Sequence, residues 1–270
     1  MSHGRGEAMQ EGDRSEARAG DPAPEFRPCA VIPTYDNPDT VRAVVELVRA
    51  RLPVIVVDDG SAAPGRAVVE AIGREGLARV FHRPQNGGKG AAVTTGFELA
   101  RQHGYTHALQ VDADGQHALD DIPLLLDAAR AQPGALILGA PVYDESAPKG
   151  RLIGRQITRF WTNIETYGRV IEDPMCGFRV YPVAPACEVA RRCGQRMDFD
   201  IEVAVRLVWA GLPVVNLPTK VRYPEGGVSH FHLVRDNLRI SWMHSRLVVL
   251  SWLRLLTPKA RRREWTAQAR

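Results

Sequence analysis

The sequence is short of the features that mark several protein classes. Its four cysteines, Cys29, Cys176, Cys187 and Cys193, form no C-x-x-C pair and do not cluster with histidine. A disulfide framework and a zinc site are therefore both disfavoured, and reduced thiols suit a cytoplasmic protein. No G-x-x-x-x-G-K-[ST] loop is present, and no G-x-G-x-x-G follows the first apolar run, which removes the P-loop and the dinucleotide fingerprint. The first 27 residues hold no apolar signal segment; rich in Gly, Glu, Arg, Ala and Pro, they read as a disordered tail. No repeat of fixed period occurs.

The body of the chain also lacks an excess of charge. Residues 1–27 carry a net −2, residues 28–230 a net −1 and residues 231–270 a net +7, within a total of +4. Basicity thus belongs to the last forty residues. A nucleic-acid-binding fold would spread it over one face, so nucleic acid is not an expected partner. The balance describes a near-neutral globular unit with a basic tail. With 44 % hydrophobic and 24 % charged residues, that unit has the means for a sizeable core.

What is present begins at Cys29. Short apolar runs alternate with segments of helical period: CAVIPTY, then 38–51; PVIVVDD, then 65–75; ARVFHR, then 90–103; HALQVDAD, then 120–131; ALILGA. This alternation predicts an α/β fold, a Rossmann-like, mostly parallel sheet with helices on both faces. Runs that are apolar throughout suit strands buried on both sides. Ligands of open α/β sheets bind at the carboxyl ends of the strands, and the polar clusters stand there. The first strand ends in Pro33-Thr34-Tyr35-Asp36-Asn37 and the second in Asp58-Asp59-Gly60-Ser61. Asn86-Gly87-Gly88-Lys89-Gly90 follows the third, and Asp112-Ala113-Asp114-Gly115-Gln116-His117 ends the fourth.

Each cluster suggests a chemistry beside a plainer role. Asp112 and Asp114 straddle one residue, so both carboxylates can meet one hard cation, Mg²⁺ or Mn²⁺, whose shell substrate phosphates complete. A second D-x-D, Asp198-Phe199-Asp200, shows how readily the motif arises. The Asn86–Gly90 segment opens a helix, and its N–H groups suit an anion; a tight capping turn is the alternative. Asp58 and Asp59 suit ribose hydroxyls or base N–H groups, against a turn role.

VIPTYDN, VVDDGS, NGGKGAAVTTGF, QVDADGQH and DPMCGFRVYP, in this order, resemble the family-2 glycosyltransferases of GT-A fold, nearest the branch of polyprenyl-phosphate mannosyl- and glucosyltransferases. The resemblance covers 28–230, the expected catalytic domain. It implies that Pro33, Tyr35, Asp58 and Asp59 hold the nucleoside of a GDP- or UDP-sugar, with Lys89 near the base or diphosphate. It implies that Asp112 approaches ribose and metal and that Asp114 and Gln116 ligate the metal. Arg179 would face a sugar or acceptor phosphate. Asp200 falls at the position of the catalytic base, with Arg206 six residues on. The implied reaction is an inverting hexosyl transfer to a membrane-associated acceptor, a polyprenyl phosphate or another lipid. Relatives often carry Lys or Arg after Gly-x-Ser, whereas Gly227-Val228-Ser229 is followed here by His230-Phe231-His232. No Q-x-x-R-W occurs, which disfavours a processive synthase. A nucleotidyltransferase would show a glycine-rich, arginine-bearing loop after the first strand, and Pro33-Thr34-Tyr35 is not one. A non-catalytic sugar-nucleotide-binding subunit is opposed by the intact Asp112-Ala113-Asp114.

Residues 233–256 contain no Pro or Gly and are strongly apolar, but Arg246 near the middle opposes a membrane span. At 100° per residue, Arg235, Arg239 and Arg246 fall within about 40° of one another. Opposite them stand Ile240, Leu247, Val248, Val249, Trp252, Leu255 and Leu256, and Lys259-Ala260-Arg261-Arg262-Arg263 follows. The pattern predicts an amphipathic helix and basic tail over 231–270, with 233–263 lying on the inner face of the cytoplasmic membrane. Packing on its own domain, or on a twin subunit in a homodimer, is the alternative.

Overall fold

The computed structural model describes residues 25–143, 149–168, 171–221 and 232–256. The tail up to residue 24, the Gly227–Phe231 segment and the basic run 259–263 lie outside the described residues.

Nearly continuous apolar runs make the central strands. β1 (Pro28–Thr34) is buried from Cys29 onward, and β2 (Val54–Asp58) and β4 (His107–Gln110) along their whole length. Two further strands, β3 (Arg79–His82) and β5 (Leu136–Val142), complete the set expected from the apolar runs. The sheet also takes β6 (Arg179–Pro182) and β7 (Val214–Lys220), giving the order β3-β2-β1-β4-β6-β5-β7. All pairs are parallel except those of β6, which runs antiparallel to both β4 and β5.

Helices cover both faces. In α1 (Val41–Arg49) the buried Val41, Val44, Val45 and Val48 recur at i, i+3, i+4 and i+7, a single stripe. With α2 (Ala63–Arg74) and α4 (Ile122–Ala131) it covers Ala30, Ile32, Val54 and Val56. The alternate residues Cys29, Val31, Ile55 and Val57 face the other way, as the two-residue period of a strand requires. They pack under α3 (Lys89–Gln102), α6 (Val183–Ala190) and α7 (Phe199–Trp209). All four cysteines are buried and free; burial pushes Cys29 and Cys176 up to about 12 and Cys187 to about 11, so these thiols stay protonated.

β1 pairs with β2 on one side and with β4 on the other, so the chain leaves β1 in one direction and returns to its opposite flank. The carboxyl ends of β1, β2 and β4 therefore open on one crevice at a topological switch point. The last three residues assigned to the tail are attached to this frame: Arg27 N donates to Thr106 Oγ1 at 2.9 Å, and Phe26 packs on the core.

Two more helices stand apart from the sheet, α5 (Lys149–Glu165) and α8 (Leu233–Leu256). The anticipated faces of α8 are kept only in part: Val249, Trp252, Leu255 and Leu256 are exposed, whereas other members of the two faces turn inward. Ile240, Met243 and Leu247 are buried against Ile201 and Val205 of α7. Arg246 turns inward to donate to Glu202, a carboxylate with no exposure that also takes Arg206 Nε at 2.7 Å. A buried carboxylate demands paired cations, and that demand removes Arg246 from the anticipated basic stripe and Ile240 and Leu247 from the lipid-facing arc.

Candidate active site

The turns at the strand ends are built by their own acids. Asp58, fully buried, accepts from Ser61 N at 3.0 Å and lies 2.8 Å from His82 Nδ1. Asp59, 2 % exposed, accepts from Gly87 N at 3.0 Å and Gly88 N at 2.7 Å and pairs with Arg83. Asp59 is thus itself the anion at the N-terminus of α3, where free N–H groups and the helix dipole favour negative charge. Gly88 is required there: its φ is +101°, and a Cβ would stand 2.6 Å from Gln195 O. The structure uses Asp58 and Asp59 to shape the loop between Pro33–Tyr35 and Lys89, with their oxygens already engaged. Pro33 is buried and Tyr35 half-buried at the mouth of the same crevice.

Lys89 leads α3 toward the end of β4. Its Nζ lies 2.8 Å from Asp112 Oδ2 and 2.7 Å from Asp200 Oδ2. Burial disfavours the charged ammonium, yet the two carboxylates outweigh it and hold Lys89 well above its usual range. Burial likewise opposes an ionised Asp112, but Lys89 and His117 keep that carboxyl well below the carboxylate range. Asp200, at the start of α7, accepts from Gln110 Nε2 at 3.0 Å, and Gln110 Oε1 accepts from Tyr181 O–H at 3.1 Å. A continuous polar chain therefore runs from Tyr181 through Gln110, Asp200 and Lys89 to Asp112.

The residues at the end of β4 fit a divalent cation. Asp112 Oδ1 is buried with no hydrogen-bond partner among the described residues. The carboxylate lies in a cradle open only because residue 177 is glycine; a Cβ on Gly177 would stand 2.4 Å from Asp112 Oδ2. Asp114 is raised above the usual carboxylate range by burial and then by the charge of Asp112, against the smaller lowering effects of the Gln116 amide, His117 and Lys89. One of its oxygens accepts from Gln116 N at 3.0 Å. Two carboxylates and the Gln116 amide are hard oxygen donors of the kind Mg²⁺ and Mn²⁺ take. Among the described residues no three His, Cys, Asp or Glu side chains gather into a metal cage. His117 stands beside this pair, its Nε2 3.6 Å from Asp112 Oδ2 and its ring stacked on Phe178 at 5.1 Å between centroids.

Arg179 is placed otherwise than expected. It has no exposure, and its guanidinium donates to the carbonyl oxygens of Pro174, Cys176 and Asp200. A side chain so enclosed shows no face to a phosphate; it fastens the Asp173–Phe178 loop to the start of α7. Arg206 is likewise turned to Glu202. Sequence reasoning missed Asp173, which accepts from Met175 N at 2.9 Å, Cys176 N at 3.0 Å and Tyr143 O–H at 2.7 Å, and pairs with Arg155 of α5. It also missed Gln110, although a lone amide in the buried run HALQVDAD was a signal.

This fold is that of the GT-A glycosyltransferases. Glucosyl-3-phosphoglycerate synthase from Mycobacterium tuberculosis, solved with UDP, superposes with a TM-score of 0.58 at 18 % identity, over 87 % of this chain and 82 % of that one. A complex of the same synthase with Mn²⁺, UDP and glucosyl-3-phosphoglycerate gives 0.58 and 18 %, over 85 % and 79 %. The chain belongs to glycosyl transferase family 2, whose sequence model matches residues 29–185. It is 30 % identical over 234 residues to the polyprenol monophosphomannose synthase of Mycolicibacterium smegmatis, covering 81 % of this chain and 87 % of that protein. The undecaprenyl-phosphate mannosyltransferase of Micrococcus luteus is 25 % identical over 207 residues, or 72 % and 82 %.

Proposed function

We propose that the protein transfers a hexose from a GDP- or UDP-sugar to a polyprenyl phosphate at the inner face of the cytoplasmic membrane, inverting the anomeric carbon. The observation that carries this reading is the acidic pair at the end of β4, with an unpartnered Asp112 oxygen in the cradle opened by Gly177. Support for the acceptor comes from two relatives whose names specify a polyprenol or undecaprenyl phosphate.

Asp112, Asp114 and Gln116 would hold Mg²⁺ or Mn²⁺, which supplies stabilisation of the charge that grows on the departing nucleoside diphosphate. Lys89 stands beside Asp112 and offers its ammonium to the same diphosphate. Pro33 and Tyr35 line the nucleoside side of the crevice, on the loop frame that Asp58 and Asp59 fix. A phosphate acceptor is already anionic and needs no base; Asp200 then serves to position Lys89, and it would take a proton only from a hydroxyl acceptor. Arg179 acts as a positioning residue behind both.

The test is sugar transfer by the purified chain from GDP-mannose and UDP-glucose to undecaprenyl phosphate with Mn²⁺. Wild type should form product, and Asp114→Ala should lose about a hundredfold or more in turnover, the weight of several kcal/mol of charge stabilisation. Equal turnover in both proteins rejects the metal role, and product on neither donor rejects the reading.

A further inference from the structure

α5 is built inside out. Ile153, Ile157, Phe160, Trp161 and Ile164 recur at helical spacing as one stripe, and all are 37–62 % exposed. The face toward the protein is polar: Thr158, Thr162 and Glu165 are buried there. The two threonine hydroxyls are satisfied by their own helix, donating to Gly154 O at 3.0 Å and Thr158 O at 2.8 Å. A surface helix of a freely soluble domain does the reverse.

α8 packs beside α5 and shares part of the pattern, since it sets Ile240, Met243 and Leu247 on α7 but leaves other large apolar residues outside. Glu165 Oε1 meets His244 Nδ1 at 2.7 Å, and the Tyr167 hydroxyl donates to Ser251 O. α8 buries Asp236, His244 and Ser251 while Trp242 is 72 % and Trp252 68 % exposed, with Leu238, Val249 and Leu256 exposed as well. Each helix contains one acid, Glu165 and Asp236, and both are buried. The outer faces therefore carry no carboxylate, and their ionisable residues are basic.

We propose that α5 and α8 together form a platform that seats the protein on an anionic lipid surface. Large apolar side chains left exposed along two helices that pack together mark an interaction site. Indole and phenyl rings favour the membrane–water boundary, and a face free of acids suits an anionic leaflet. In the sequence, Lys259-Ala260-Arg261-Arg262-Arg263 follows Leu256 after two intervening residues. Among the described residues no helix is long and apolar enough to cross a membrane, so the pair would lie in the interface. The contact thus rests on apolar stripes of two helices, where the sequence pointed to α8 alone. The seat is also joined to the catalytic cleft: Arg155 of α5 pairs with Asp173, which holds the Met175 and Cys176 amides of the loop that carries Gly177. This proposal rests on the membrane location in the proposed function and deepens it; lipid binding is measured with neither donor nor acceptor present, so its failure is distinct from a failure of sugar transfer.

The experiment is flotation of the full chain with vesicles of phosphatidylcholine containing phosphatidylglycerol. Wild type should float, and the α5 variant Ile153→Asp/Ile157→Asp should lose at least about tenfold in bound fraction. Leu47→Asp, an exposed apolar site on α1, should float like wild type. Brominated lipid provides a second readout without any variant: it should quench the wild-type tryptophan fluorescence. Unchanged flotation of the α5 variant, or an unquenched wild type, overturns the proposal. A wild type that stays in the lipid-free fraction as a dimer, which Ile153→Asp/Ile157→Asp splits into monomers, overturns it too, assigning the face to a second copy.

Discussion

Lys89 bridges two acids that stand 88 residues apart in the chain, its ammonium 2.8 Å from Asp112 Oδ2 and 2.7 Å from Asp200 Oδ2. The ammonium and a divalent ion would compete for one carboxylate. Removing the ammonium leaves the partly buried Asp112 and the buried Asp200 without their shared cation, with only His117 and Gln110 beside them, a loss of up to about 3 kcal/mol. Lys89→Met should therefore melt well below wild type without metal. Mn²⁺ should then raise its melting temperature by more than it raises that of wild type, since Asp112 is no longer engaged. Scanning fluorimetry across a Mn²⁺ titration reads both effects, and equal Mn²⁺ shifts would show that Lys89 and the metal do not share Asp112.

Gly177→Ala puts a methyl group 2.4 Å from Asp112 Oδ2. The carboxylate must shift, because its neighbours on the other side are Lys89 and His117. Overpacking of this kind costs about 1–3 kcal/mol, so the variant should still fold. Its Mn²⁺ affinity, measured by calorimetry in the presence of nucleoside diphosphate, should fall by about tenfold or more. Unchanged affinity would remove Asp112 from the metal's coordination.

Arg179 separates two roles by experiment. A guanidinium that bound donor phosphate would, when lost, raise the donor KM and leave stability alone. The enclosed Arg179 donates to three backbone carbonyls instead. Lysine cannot reproduce that fork. Arg179→Lys should lose about 2–4 kcal/mol in denaturant unfolding, from carbonyls left unsatisfied in the interior. Turnover should fall while donor KM stays within about twofold. The reverse pattern would restore Arg179 to the phosphate.

The alternation from β1 to β5 was legible because strands buried on both faces are apolar throughout, and α1 to α4 follow with their own period. A helix over 233–256 was legible from the absence of Pro and Gly there. β6 was not, since four residues beginning with an arginine do not look like a central strand, and their place between β4 and β5 depends on partners far away in the chain. The strand-end acids announced a site but not their assignments. Whether Asp59 met a nucleoside or the Gly87 and Gly88 amides turned on the fold of a loop 28 residues on. Gln110 meets Asp200 across 90 residues, which no local pattern contains. Periodicity could have drawn the stripes of α5, but it does not say which face a helix turns inward.

The buried Glu165–His244 pair that joins α5 to α8 should make stability depend on pH with a definite sign. Burial raises the Glu165 carboxyl above its ordinary range, against the lowering effect of His244 and with a smaller upward push from Glu202. A carboxyl whose pKa rises on folding contributes stability that is complete below its unfolded pKa and is lost as pH climbs through the folded one. Glu165→Gln abolishes that titration and keeps an oxygen facing His244 Nδ1. The variant and wild type should melt together near pH 4, and the variant should melt increasingly higher as pH rises toward 8. Thermal melts across that range check the sign. A variant that melts below wild type at pH 6 would show that the pair instead stabilises the fold as an ion pair, with Glu165 charged.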